Sequence, residues 1–138
     1  MLQHEHASPR APQRTVVIGA AGFVGATVMR CLAAAGATAV GVSRGDVDLL
    51  APDAAISLAV LLRDGDAVVA VAAMAPVRDV DMLVDNMRLT RTILTALRAV
   101  KPSHIVNISS DAVYADAPLP LTETRPCTQF FLDTGLEQ

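Results

Sequence analysis

The chain has 138 residues, enough for one domain, and 52% of them are hydrophobic, so it can bury a substantial core. Its 14 acidic and 11 basic residues are spread along the sequence and give a net charge of −3, without the basic block that binds nucleic acid or an anionic membrane. We therefore expect no nucleic-acid or membrane partner. The two cysteines have neither disulfide nor metal-ligand spacing, which favours a cytoplasmic location and predicts no metal site.

The chain divides into a domain and two tails. Residues 1–14 are polar and contain proline, so we predict a disordered tail rather than a secretory signal. The domain is predicted to cover residues 15–126. Residues 127–138 carry no convincing motif and are predicted to form an irregular C-terminal tail.

Strand and helix patterns alternate through this domain. β-Branched or continuous apolar runs predict strands at residues 15–19, 37–44, 46–50, 66–75 and 104–109. Helical spacing follows the first strand as far as Gly36 and recurs over residues 52–65 and 77–102. Such alternation predicts an α/β protein with a Rossmann-like, doubly wound parallel sheet, truncated after about five strands.

The last and longest helix, predicted near residues 79–100, has two apolar rows. One row is Val80, Val84, Met87, Leu94 and Leu97, and the other is Leu89, Ile93, Ala96 and Val100. A helix needs only one apolar row to pack on a sheet. The second row is left for another helix or for a partner subunit, so a homo-oligomer through this helix is one expectation.

A glycine-rich turn, "GAAGFVG", joins the first strand to the first helix. Gly19 permits the tight turn, Gly22 allows a pyrophosphate to approach the amides at the positive end of the helix, and Gly25 allows that helix to pack closely on the strand. Together with Phe23 and Val24, these glycines are the candidate phosphate-binding residues. The position between a strand and a helix makes dinucleotide binding a better interpretation than an ordinary glycine turn.

The spacing G-x-x-G-x-x-G resembles that of the extended short-chain dehydrogenase/reductase family, the NAD-dependent epimerase/dehydratase group of nucleotide-sugar enzymes. Later motifs resemble the family in the same order. "DAVVAVAAMAP" is similar to its fourth strand, and the resemblance implies that Ala72 and Ala73 line the cofactor. Asn86 is similar to an asparagine in its fourth helix, and "NISSDAVYADAPLPLTE" to its fifth strand and the following loop.

The resemblance covers residues 15–126 with two departures. Ile18 stands where the family usually has threonine, and Ala115 replaces the glycine of V-Y-G. It implies an NAD(P)-binding protein whose full-length relatives act as oxidoreductases or epimerases on nucleotide sugars. A nucleotide cofactor and a nucleotide-sugar substrate are the partners that follow from it.

The end of the second strand bears on the choice of cofactor. A carboxylate there would bind the ribose hydroxyls of NAD, whereas an arginine can pair with the extra phosphate of NADP. Ser43 and Arg44 therefore favour NADP slightly over NAD, the alternative being that Arg44 is a solvated loop charge. Asp48, followed by Leu49, resembles the family's aspartate near the adenine, and a surface turn is the alternative.

The resemblance identifies only some of the residues that catalysis needs. Ser110 matches the family's catalytic serine or threonine, although a polar turn after a strand is an equally good interpretation. The family's proton-transferring tyrosine belongs to a Y-x-x-x-K motif, and Tyr114 is followed four residues later by Pro118. We therefore predict that this chain alone is inactive. The alternative to an enzyme is a non-catalytic dinucleotide-binding module or a truncated remnant.

Overall fold

A computed structural model describes residues 10–108. Within this range the chain forms β1 (Thr15–Ile18), α1 (Phe23–Ala34), β2 (Ala39–Val42), α2 (Ala54–Leu61), β3 (Ala67–Ala70), α3 (Val80–Leu97) and β4 (His104–Asn107). All neighbouring strands are parallel, and their order is β2-β1-β3-β4. The predicted α/β, Rossmann-like parallel sheet is confirmed.

Helices cover both faces of this sheet. Val16, Ile18 and Val68 belong to the buried core that α2 and α3 complete on one face. Side chains alternate along a strand, so Val17, which is fully buried, points to the other face. Its register partner is Gly41, and the Met29 side chain of α1 lies 3.5 Å from the place of a Cβ on Gly41. Helix α1 therefore covers that second face.

The predicted strand at residues 46–50 was wrong, because these residues form turns. Asp46 accepts a hydrogen bond from the Ser43 backbone N–H at 2.8 Å, and Asp48 accepts one from the Leu50 N–H at 3.2 Å. Aspartate side chains that bind nearby backbone amides compete with strand pairing. The sheet of the described residues consequently has four strands where the sequence predicted five.

The two apolar rows of α3 differ in burial as predicted, with one exception. Leu89, Ile93 and Ala96 are buried in the core beside α2. The other row is exposed, except for Leu97, which was assigned to it and is only 7% exposed. Residues i and i+4 share a helix face, so Leu97 follows Ile93 into the core.

An ion pair stabilises the amino-terminal edge of the sheet. Arg14, which the sequence placed at the end of the tail, donates from Nε to Asp66 Oδ1 at 2.8 Å and from its terminal amino group to Asp66 Oδ2. The Asp66 side chain is 4% exposed and also accepts a hydrogen bond from the Arg63 N–H at 2.8 Å. These bonds connect the residue before β1 to the residue before β3.

Among the described residues, none of the helices has both the length and the apolar character that crossing a bilayer requires.

Candidate functional site

A cavity of about 270 Å³ lies at the carboxyl ends of β1, β2 and β3. In a doubly wound sheet, this edge is where ligands bind. The glycine turn, the residues after β2 and the loop after β3 form its walls. Eight of the residues predicted to bind cofactor line it, namely Gly19, Gly22, Ser43, Arg44, Asp48, Leu49, Ala72 and Ala73.

The other predicted site residues lie elsewhere. Phe23 is 92% exposed and Val24 43% exposed in the first turn of α1, so their side chains project into solvent. Gly25 is buried beneath the turn. Ser110 and Tyr114 lie outside the described residues, as does segment 127–138.

The three glycines of the turn are required for different reasons. Gly19 has φ +94°, and a Cβ there would lie 2.8 Å from the Ala72 backbone nitrogen. A Cβ on Gly25 would lie 2.2 Å from the Gly19 carbonyl oxygen. A Cβ on Gly22 would meet only that same oxygen, at 3.4 Å, which is ordinary van der Waals contact. Gly19 and Gly25 are thus needed for packing, whereas Gly22 leaves space at the cavity wall.

Gly22 also caps the amino terminus of α1. It has extended backbone geometry, and no side chain accepts a hydrogen bond from the first turn. The first amides of a helix lack acceptors within the helix and carry a partial positive charge. This terminus therefore offers donors suited to a phosphate group.

Gly41 of β2 is a further glycine that the close approach of the turn requires, and this role was not predicted from the sequence. A Cβ on Gly41 would lie only 2.7 Å from the Ala20 Cβ. The Gly19 and Ala20 amides also donate to the Val42 carbonyl oxygen, at 2.8 and 3.1 Å. The glycine turn thus lies directly against β2. A lone glycine inside a predicted strand was the signal for this close approach.

The hydrogen-bond donors that follow β2 are bonded to carboxylates. The Ser43 hydroxyl donates to Asp46 Oδ2 at 2.6 Å, and the Arg44 guanidinium pairs with Asp48 at 3.3 Å. Hydrogen bonds from the Ser43 side chain and backbone lower the pKa of Asp46. The Leu50 N–H, and then Arg44, lower the pKa of Asp48. Both carboxyl groups are therefore ionised at neutral pH.

Asn86 fixes the loop after β3. Its Oδ1 accepts from the Met74 N–H at 2.8 Å, and its Nδ2 donates to the Met74 carbonyl at 2.9 Å. Thr92, also on α3, donates to the Leu49 carbonyl at 2.9 Å. Helix α3 thus holds two of the segments that line the cavity.

The described lining of the cavity consists mostly of uncharged groups. Arg44 and Asp48 are the ionisable groups among its described lining, and its remaining walls are mostly backbone and aliphatic side chains. Within residues 10–108, no three histidine, cysteine, aspartate or glutamate side chains are grouped so that they could hold a metal ion. This combination of amides and apolar surface suits a nucleotide.

Comparison with protein families identifies the family to which most of the chain belongs. Residues 15–131 match the model described as the NAD dependent epimerase/dehydratase family. A search of curated proteins found no match.

Solved structures give similar folds. The UDP-N-acetylglucosamine 4-epimerase from Bacillus cereus has a TM-score of 0.64 and 26% identity over 83% of this chain. A GDP-L-fucose synthetase from Naegleria fowleri bound to NADP has a TM-score of 0.68 and 23% identity over 91% of this chain. A short-chain dehydrogenase/reductase superfamily protein from Agrobacterium tumefaciens, with bound NAD, has a TM-score of 0.59 and 23% identity over 83% of it. The chain spans 47%, 40% and 39% of these structures, respectively.

Proposed function

Because the chain belongs to the NAD-dependent epimerase/dehydratase family, we propose that it binds a nicotinamide dinucleotide in the cavity at the carboxyl ends of β1, β2 and β3. The observation that carries this proposal is the open position at Gly22, where the amino terminus of α1 meets the cavity. Two of the similar structures have NADP or NAD bound, which supports the class of ligand.

Each wall of the cavity is proposed to bind a different part of the cofactor. We assign the pyrophosphate to the amides of residues 23–25, because they form the first turn of α1 and have no acceptor within the helix. The adenosine is assigned to residues 43–49, where Ser43, Arg44 and Asp48 offer polar groups and Leu49 an apolar one. Ala72 and Ala73 lie in the loop after β3 and are assigned to the nicotinamide half. Whether NAD or NADP is preferred depends on the turn after β2.

For the whole protein, we propose oxidoreductase or epimerase chemistry on a nucleotide sugar. The family membership and the fold shared with a UDP-N-acetylglucosamine epimerase support this class of substrate. Ser110 would polarise the reacting sugar oxygen. Cysteine usage supports a cytoplasmic location.

A non-catalytic dinucleotide-binding module is the second candidate. The cavity lining supports it, because Arg44 and Asp48 are the ionisable groups among the described lining residues, and they form an ion pair. Incubation of the purified chain with NAD(P)H and a panel of nucleotide sugars separates the two candidates. Cofactor binding without turnover favours the module, and turnover favours the enzyme.

Substitution of Gly22 tests the proposed cavity directly. Gly22→Val should leave the fold intact, because a Cβ there meets its nearest neighbour at 3.4 Å. The added side chain should block the approach of the pyrophosphate and raise the Kd for NAD at least about tenfold, a loss of about 1.4 kcal/mol. Calorimetric titration measures the change. Ala34→Val, at the exposed far end of α1, is the matched control and should bind as the wild type does.

The result that would contradict this assignment is unchanged binding by Gly22→Val. Loss of binding in Ala34→Val as well would point to a general disturbance of α1 instead of a blocked cavity.

We also propose that the exposed row of α3 forms a contact between two copies of the chain. Val80, Met87 and Leu94 are 73%, 67% and 54% exposed, and they lie on one face of this helix. Sedimentation velocity should show a dimer for the wild type and a monomer for Met87→Glu, because a charge in an apolar interface is costly. Val60→Glu adds the same charge at a 79% exposed valine of α2 and should remain dimeric. A monomeric wild type would overturn the proposal.

A further inference from the structure

In the turn that follows β2, residues 43–46, the Asp46 carboxylate already accepts the hydrogen bonds that Ser43 donates. Ser43 lines the cavity and has two hydrogen-bond donors, its backbone N–H and its hydroxyl. Both donate to one oxygen of Asp46, Oδ2, at 2.8 and 2.6 Å. Hydrogen bonds from a hydroxyl and an amide to the same oxygen define a small anion position beside the cavity.

The same donors are those that a ribose 2′-phosphate needs. In a doubly wound sheet the adenosine ribose lies at the carboxyl end of the second strand, and here Ser43 directly follows β2. A phosphate is bound by converging N–H and O–H donors together with a guanidinium. The guanidinium of Arg44 is present, but it is paired with Asp48 at 3.3 Å. Each of these potential phosphate ligands therefore already contacts a carboxylate.

The charged side chains near Ser43 oppose the binding of a further anion. Within residues 43–48, Arg44 is the single cation, whereas Asp46 and Asp48 are both ionised. A phosphate that entered would meet a net negative charge, and it would have to displace Asp46 from Ser43. The neutral ribose hydroxyls of NAD face neither obstacle, and a carboxylate can accept hydrogen bonds from them.

We propose that Asp46 is a specificity-determining residue, whose carboxylate occupies the 2′-phosphate position at Ser43 and makes the chain bind NAD in preference to NADP. This inference depends on the proposed dinucleotide function. It points away from the slight preference for NADP that Ser43 and Arg44 suggest in the sequence. The sequence pattern shows which donors are present, and the structure shows that they are occupied.

The test is a calorimetric comparison of NAD and NADP binding to the full chain and to Asp46→Asn. Asparagine keeps the shape of the side chain but removes its negative charge. Kd for NADP should fall about tenfold or more, because the phosphate then competes with a neutral acceptor for the Ser43 donors and no longer meets the charge of Asp46. Kd for NAD should change less than about threefold, since its hydroxyls bind without a full charge. Asp53→Asn removes the same charge from an exposed position outside the cavity lining and should alter neither value.

A second substitution distinguishes a direct effect on NADP binding from an indirect effect on folding. Ser43→Ala, introduced into Asp46→Asn, removes the hydroxyl donor and should reverse much of the gain in NADP binding. The inference is overturned if NAD binds but Asp46→Asn leaves the ratio of the two Kd values unchanged, or if Asp53→Asn shifts it equally. If neither protein binds either cofactor, the proposed function fails and this inference fails with it.

Discussion

Asp66→Ala should lower the free energy of unfolding by about 3 kcal/mol, because it leaves the mostly buried Arg14 guanidinium without its partner. The Arg14 and Asp66 side chains are only 15% and 4% exposed. Removing the carboxylate also deprives the Arg63 N–H of its acceptor. Urea denaturation of the two proteins measures the difference.

The loss should depend on pH in a defined direction. Hydrogen bonding to Arg14 lowers the pKa of Asp66 below its ordinary value. A carboxyl group with a lowered folded-state pKa stabilises the protein above its unfolded pKa of about 3.9, and the stabilisation is lost as the pH falls through the folded value. The gap between wild type and Asp66→Ala should therefore be constant near neutral pH and shrink below about pH 4.

Asp64→Ala is the matched control for this pair. Asp64 lies two residues away and accepts a single hydrogen bond, from the exposed Lys101 N–H at 2.8 Å. Its removal should cost about 1 kcal/mol, the value of an ordinary hydrogen bond. Equal losses for Asp64→Ala and Asp66→Ala would contradict the special role of the buried pair.

Gly25→Ala should destabilise the protein by about 2 kcal/mol through overpacking, although alanine is the better helix former. The added Cβ would stand 2.2 Å from the Gly19 carbonyl oxygen and 2.9 Å from the Ala20 Cα. Both are backbone atoms, and the Gly19 and Ala20 amides are bonded to Val42, so the turn cannot move aside freely. Displacement of the turn should also weaken cofactor binding.

Gly22→Ala provides the comparison for Gly25→Ala. Its Cβ meets only an ordinary contact at 3.4 Å, so its cost should stay below about 1 kcal/mol, as expected at a helix N-cap. Thermal unfolding of both variants measures the contrast. A Gly25→Ala protein as stable as Gly22→Ala would show that close packing of α1 on the turn is unimportant.

The elements with a strong local signal could be predicted from the sequence. β-Branched runs gave the strands, and Gly36 ends α1 as expected, with φ +67° and a hydrogen bond from the Ala37 N–H to the Leu32 carbonyl. The short run 46–50 could not be assigned correctly. Its two aspartates bind backbone amides of the turn itself, and a pattern of apolar residues does not reveal those bonds.

The glycine turn of the site could be predicted from the sequence, whereas the ion pairing of its charged side chains could not. Glycine spacing identified Gly19 and Gly22, but the contact of Gly41 with Ala20 depends on how the turn lies against β2. Likewise, Arg44 indicated a phosphate ligand, whereas its pairing with Asp48 follows from the shape of the turn. Close approach and ion pairing depend on three-dimensional arrangement, which spacing alone does not encode.

We propose above that the cavity at the carboxyl ends of β1, β2 and β3 binds a nicotinamide dinucleotide. Amide NMR spectra of the isotope-labelled chain, recorded during titration with NAD, test it most directly. We expect the amide signals of Gly19, Gly22, Ser43 and Ala72 to shift together and to saturate. Spectra of the folded chain that do not change, or shifts confined to the opposite edge around Arg14, would contradict it.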